Sequence, residues 1–137
     1  MSGGAYEYVA AYVNNGNSSL TSYGSTLLNA AGKYKEVYKV TSDSSSNNYN
    51  NAQPTQGQGA PTENTGHYGD AAWETSDSYI SSGSWYSDYS YFPDDTSPFF
   101  LHGGNHYNTS GAGVFNFFSY LGFDDRGYSF RVAVPVF

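Results

Sequence analysis

A regular spacing of large ring-bearing positions first appears at residues 5–13, Ala-Tyr-Glu-Tyr-Val-Ala-Ala-Tyr-Val. Tyr6, Tyr8 and Tyr12 share one parity there, which predicts a strand with one ring-bearing face. Asn14-Asn15-Gly16-Asn17 then predicts a turn. Residues 25–33 predict a short helix capped by Ser25 and stopped by Gly32. Residues 34–40 fit two periods: Tyr34, Val37 and Tyr38 suit a helix, whereas Tyr34, Glu36, Tyr38 and Val40 suit a strand. From 41 to 66 the chain is Ser, Asn, Gln, Gly and Pro with Tyr49 as its one ring, and an excursion loop is expected. Pattern resumes at His67–Thr75, and from Trp85 onward rings and short turns alternate densely. Residues 114–118 alternate, with Phe115 and Phe117 expected on one buried face. Phe130 is expected in the core as well. A terminal strand is expected over 129–137, with Pro135 at an edge. Trp73 and Trp85 are expected inside.

Composition sharpens this picture. At 137 residues the chain suits one domain, taken as 1–137. Leu, Ile, Val and Phe together number 23 of 137, a level that with strong net charge ordinarily signals disorder. Yet there are 15 Tyr, 9 Phe and 2 Trp, and each ring buries roughly 150–250 Å². Rings can therefore stand in for aliphatic side chains in the core. A Tyr-rich, Lys-poor surface is also the composition of a recognition surface, because Tyr offers large amphipathic area at low entropic cost.

Charge excludes more. Twelve acidic residues against five basic ones give a net charge of −7, which argues against nucleic acid and anionic membranes as partners. No apolar run approaches the roughly 20 residues of a membrane span, so no membrane insertion is expected. With no cysteine there are no disulfides, thiolate metal sites or cysteine nucleophiles. Met1 leads straight into Ser2-Gly3-Gly4, without the basic start and apolar core of a leader.

Candidate chemistry is sparse. Asp94-Asp95 and Asp124-Asp125 supply hard oxygen ligands but lack the spacing of a calcium loop, and they read as solvated turns. His102 and His106 are separated by Gly103-Gly104, which rules out the two-His face of a zinc helix. No strand–Ser–helix elbow surrounds any serine, and neither Gly103-Gly104 nor Gly111-Ala112-Gly113 fits a phosphate-binding pattern. No catalytic residue, metal or cofactor is expected.

Three segments resemble the formylglycine-generating-enzyme-like (sulfatase-modifying factor) superfamily. Met1-Ser2-Gly3-Gly4-Ala5-Tyr6-Glu7-Tyr8-Val9 is similar to its "M-x-G-N-V-W-E-W-V" segment. Phe99-Phe100-Leu101-His102-Gly103-Gly104 is similar to its "R-G-G-S-W" region, and Tyr128-Ser129-Phe130-Arg131-Val132-Ala133 to its closing "G-F-R-L-A". A non-enzymatic branch resembles the chain further. This branch comprises prophage and surface proteins of Firmicutes and variable proteins of diversity-generating retroelements. The shared positions are Gly69-Asp70-Ala71, Glu74-Thr75-Ser76, Trp85, Asp88, Ser90, Phe92-Pro93, Ser97-Pro98-Phe99-Phe100, Gly103-Gly104, Ala112-Gly113-Val114-Phe115-Asn116-Phe117 and Phe130-Arg131-Val132. The resemblance implies an α+β, C-type-lectin-like fold of short strands, few short helices and much loop. The departures are chemical. The enzymes' copper-binding cysteine pair is missing, and three scattered histidines do not supply the iron-dependent relatives' triad. Gly4 replaces the Asn of the calcium-binding segment, His102 replaces the Arg of "R-G-G", and Ser129 replaces the Gly before the closing "F-R". Superfamily members begin further upstream, so a trimmed domain or the C-terminal part of a longer one is expected.

The function so implied is a non-catalytic receptor-recognition or adhesion module. Its setting would be a phage virion or bacterial cell surface, and its partner a protein or glycan on a host or neighbouring cell. The expected binding face lies within 101–128, at Leu101, His102, His106, Tyr107, Phe118, Ser119, Tyr120, Phe123 and Asp124, where rings supply area and polar groups direction. It is expected to be a hypervariable face. The competing expectation is a structural subunit of a filament, tail or other surface assembly, self-associating through its aromatic surface.

Overall fold

The computed structural model describes residues 4–40, 52–54, 85–94 and 96–130. In chain order these form β1 (Tyr6–Asn14), α1 (Ser18–Tyr23), α2 (Ser25–Asn29), β2 (Glu36–Val40), β3 (Ala52–Pro54), β4 (Phe99–His102), β5 (Phe117–Tyr120) and β6 (Tyr128–Phe130). The fold is mixed α+β, with two short helices and a sheet of order β3-β2-β1-β4-β5 to which β6 adds beside β1. The segment His67–Thr75, the motif residues 69–76, Trp73, Asp95, Pro135 and the strand expected beyond Phe130 lie outside the described residues, as does the side chain of Trp85.

β1 is the hub of the sheet. β4 runs antiparallel along one edge, pairing Glu7 with His102, Tyr8 with Leu101 and Tyr12 with Phe99. The other edge is shared. β6 pairs in parallel with Tyr6–Tyr8, and β2 pairs in parallel with residues 11–14. Between Tyr8 and Tyr12 the register with β4 slips: β1 advances four residues while β4 advances from Leu101 to Phe99. The surplus is even, so parity survives, and Tyr6, Tyr8 and Tyr12 stay on one face as the sequence pattern predicts.

Both faces of the sheet are apolar. Val13, Tyr38, Phe92, Phe100 and Phe117 form one cluster. Tyr12, Val37 and Phe99 form the other, roofed by Leu20 of α1 with Leu27 and Leu28 of α2. Sheets covered on both sides carry continuous apolar runs rather than alternation, which accounts for Phe99-Phe100-Leu101. Close approach of the roof depends on Gly24, where a Cβ would lie 2.5 Å from the Phe99 ring. Gly122, at φ +100°, meets the same ring from the far side.

Several expectations are corrected. The turn at 14–17 leads directly into a helix that was not expected, α1, because the Asn17 side chain accepts from Ser19 N at 2.7 Å and caps it. Gly24, not Ser25, holds the cap position of α2, which ends at Asn29, short of Gly32. The ambiguous segment at 34–40 resolves into β2 from Glu36 onward, pairing with β1, while Tyr34 ends a single 3-10 turn over Gly32–Tyr34. Within 41–66, Ala52–Pro54 forms a strand on β2, so that stretch is not loop throughout. Phe115 and Phe117 do not share a strand. β5 begins only at Phe117, which is buried, while Phe115 is half-buried and stacks on the exposed Tyr86 ring at 5.7 Å. Phe130 is 75% exposed rather than in the core.

Leu101 is fully buried, whereas His102, the next residue of β4, is exposed. Leu101→Ala should cost about 2–5 kcal/mol through its lost contacts and the cavity left behind. His102→Ala should stay within roughly 0.5 kcal/mol. Urea melts of the two variants check this contrast.

Candidate functional site

One end of the helix-covered face carries a band of rings. Register and parity place Tyr6 and Tyr8 of β1, Phe118 and Tyr120 of β5, and Tyr128 of β6 on that side of the sheet. Ser90 bridges in parallel to Phe117, which lays residues 89–91 along the outer edge of β5 and adds Tyr89 and Tyr91. The contacts are continuous. Tyr89 and Tyr91 lie 5.8 and 5.5 Å from Phe118, and Phe118 stacks on Tyr6 at 5.5 Å. Tyr6 lies 6.0 Å from Tyr128, which meets Tyr120 at 4.6 Å and Tyr8 at 5.8 Å. Phe123 closes on Tyr120 at 4.8 Å and touches Tyr23 of α1 at 5.9 Å. Most of these rings are half-buried: their inner faces pack while an edge or face remains open.

The connection from β5 to β6 crosses this face. It passes Phe99 at Gly122, accepts the Tyr8 hydroxyl on the Phe123 carbonyl oxygen at 3.0 Å, and reaches Tyr6 N through the Gly127 carbonyl at 2.8 Å. Asp124, Asp125 and Arg126 lie exposed upon it. Burial therefore pushes the Tyr8 phenol up to about 12, with smaller upward contributions from Tyr120, Asp125 and Asp124 against the lowering effect of a backbone hydrogen bond. Burial raises Tyr128 further, reinforced by its hydrogen bond with Tyr120 and by the Asp125 carboxylate. Tyr6 and Tyr89 are raised by burial too, the former opposed by hydrogen bonds to Asn108 and Asn116 side chains.

The β4–β5 connection stands beside the band. Asn105 Oδ1 accepts from Tyr107 N and Asn108 Oδ1 accepts from Asn105 N, each at 2.9 Å, so the turn is closed by its own side chains. Its tip presents His106 and Tyr107, whose ring centroids lie 3.8 Å apart. The base is tied down from below. Buried Asp88 accepts from Phe115 N at 2.9 Å, and Asn116 Nδ2 donates to the Gly111 carbonyl at 2.7 Å. Gly113 makes room for Asp88, since a Cβ there would lie 1.9 Å from the carboxylate.

The residues expected to bind thus divide. His106 and Tyr107 are exposed at the loop tip, and Asp124 is exposed on the crossing loop. Phe118, Tyr120 and Phe123 are half-buried members of the band. Leu101 and Ser119 are corrected, because both are buried and offer a ligand no surface. His102 shares the face of Phe117, on the other side of the sheet from the band. Tyr8, Tyr89, Tyr91 and Tyr128 were missed as a group, around Tyr6, which is itself buried and joins the band as its packed centre; the signal was the Tyr-x-Tyr spacing at 6–8 and 89–91. Among the described residues no three His, Cys, Asp or Glu side chains converge to hold a metal ion. Gly4 has no side-chain oxygen to offer one, and its carbonyl accepts from His106 N at 3.4 Å.

Alkaline titration tests the packing of the band. A phenol whose folded pKa is raised from 10.0 to about 12 binds its proton more tightly in the folded state. Its contribution to stability is complete below the ordinary tyrosine range and is lost as pH rises through the folded value. The domain should lose stability between pH about 10 and about 12. Tyr8→Phe should flatten that loss, as read by chemical denaturation at stepped pH. An unchanged slope would place the Tyr8 hydroxyl in water.

Comparison of the chain with protein-family models, with curated proteins and with solved structures returns no match.

Proposed function

We propose that this chain is a non-catalytic ligand-binding module with a C-type-lectin-like arrangement, displayed on a cell or virion surface. Its contact face would be the tyrosine band together with the His106-Tyr107 loop tip. The continuous row of rings on the sheet, half-buried on either side of the buried Tyr6, supports this reading most directly. Each ring is held by strand register and by its neighbours, so little side-chain freedom remains to be lost when a partner arrives. The open edges combine apolar area with hydroxyl groups, the combination found in tyrosine-rich paratopes. Tyr107, 77% exposed, stands clear of the sheet as a contact residue of its own. The ligand class is a protein or glycan of a host or neighbouring cell surface.

Binding screens against glycan and peptide arrays, with the wild-type chain and a His106→Ser/Tyr107→Ser variant, test the proposal. The variant should melt within roughly 0.5 kcal/mol of wild type, as exposed loop changes do. It should also lose binding by tenfold or more, on the order of 1.4 kcal/mol. Light scattering on the eluting wild-type protein should report a monomer. Large homomeric species that dissociate in the variant would sink the proposal in favour of an assembly subunit.

A further inference from the structure

The crossing loop gives the band a charge as well as a shape. Asp124 and Asp125 are both exposed there, against Arg126 alone; Asp124 directly follows Phe123 of the band, and the Asp125 carbonyl accepts from Tyr128 N at 3.1 Å, which sets this acidic turn against the Tyr128 end of the band. Aromatic faces carry the negative lobe of the ring quadrupole, so rings beside carboxylates make a surface that favours cations. The chain pairs its own tyrosines this way: Lys33 Nζ lies 4.7 Å from the Tyr34 ring centroid and Lys35 Nζ 5.8 Å from that of Tyr12. A net charge of −7 extends the same preference over longer range.

Resting on the binding-module reading, we propose that the Asp124-Asp125 end of the band takes guanidinium or ammonium groups of a basic segment on a protein partner. The open edges of Tyr120, Phe123 and Tyr128 receive the side chains' flat or aliphatic parts, and the carboxylates receive their charge. Arg126 works against this binding because it places a like charge at the same rim. An acidic partner is repelled, and a neutral glycan gains nothing from the carboxylates.

A blocked hexa-arginine peptide, a hexa-glutamate peptide and a neutral cello-oligosaccharide serve as probes, read by the aromatic NMR signals of Tyr120 and Tyr128. The arginine peptide should shift those signals, and the glutamate peptide should not. Asp124→Asn/Asp125→Asn should weaken binding about threefold to tenfold, whereas Arg126→Gln should strengthen it by a comparable factor. These side chains are exposed, and Asn at 125 keeps the side-chain oxygen that accepts from Gly127 N, so melting temperatures should not move, and opposite signs from adjacent residues separate charge from general damage. No shift with the arginine peptide, or binding indifferent to both variants, overturns the proposal. If the oligosaccharide alone moves the tyrosine signals, the cationic partner is wrong and the binding-module reading stands. If no probe moves them and the array screen is also empty, both readings fall.

Discussion

Everything in this fold hangs on one strand with three strand partners. β1 holds β4 along one edge and divides the other between β6 at its start and β2 at its end. That division is what the slip between Tyr8 and Tyr12 accompanies: the slack falls at Val9 and Ala10, both exposed, between the two pairing zones. An odd surplus would have turned Tyr12 to the opposite face from Tyr8 and emptied the helix-covered cluster. Because the surplus is even, one face serves two purposes along its length. Near Tyr12 it is roofed by α1 and α2 and acts as core; near Tyr6 and Tyr8 it carries the ring band.

Tyrosine makes that double use workable. The chain has few aliphatic residues, and its buried clusters are built largely from rings meeting at tilted or edge-on angles, as at Tyr38, Phe92 and Phe100. A half-buried leucine would present only grease to water, but a half-buried tyrosine packs its body and keeps a hydroxyl for water or hydrogen bonds. Tyr8 shows the limiting case: its hydroxyl turns inward to the crossing loop and pins that loop to the sheet. The same residue type therefore provides core, fastening and open contact area within a short stretch of β1, β5 and β6.

Legibility in the sequence followed the range of the interaction. The strand at β1 and the parity of its tyrosines rest on local alternation, and were readable. The short helix α1 rests on one capping hydrogen bond from Asn17 and one buried Leu20, too little to stand out beside the Asn-Gly turn. Leu101 and Ser119 read as contact residues because burial on both sides of a sheet leaves no alternation to mark them as core. The band itself joins residues near 6, 90, 120 and 128. Only the parallel addition of β6 and of residues 89–91 brings them together, and no local pattern encodes such pairings. His106 and Tyr107, chosen for the binding face, do lie exposed, on a connection where Gly103-Gly104 and the neighbouring Asn residues favour a turn.

The positions that cannot change and those that can are separated in space, and this bears on recognition. Gly24 and Gly122 press on the Phe99 ring, Gly104 on Ala112, and Gly113 on the buried Asp88 carboxylate, so a single methyl group at any of them meets a packed atom. Such contacts fix where the loops leave the sheet. Beyond those points the constraint relaxes, since the turn at 105–108 is closed by Asn side chains and spends none of its His106 or Tyr107 rings on the core. Asp124 and Arg126 are likewise carried by a loop anchored through Gly122, the backbone carbonyls of Phe123 and Gly127, and the Asp125 carboxylate, which accepts from Gly127 N at 2.9 Å. Side chains held by backbone anchors are free to be exchanged for others while the loop keeps its course. A recognition surface needs that separation, because specificity can then be altered at the tips without disturbing the rings that hold the sheet together.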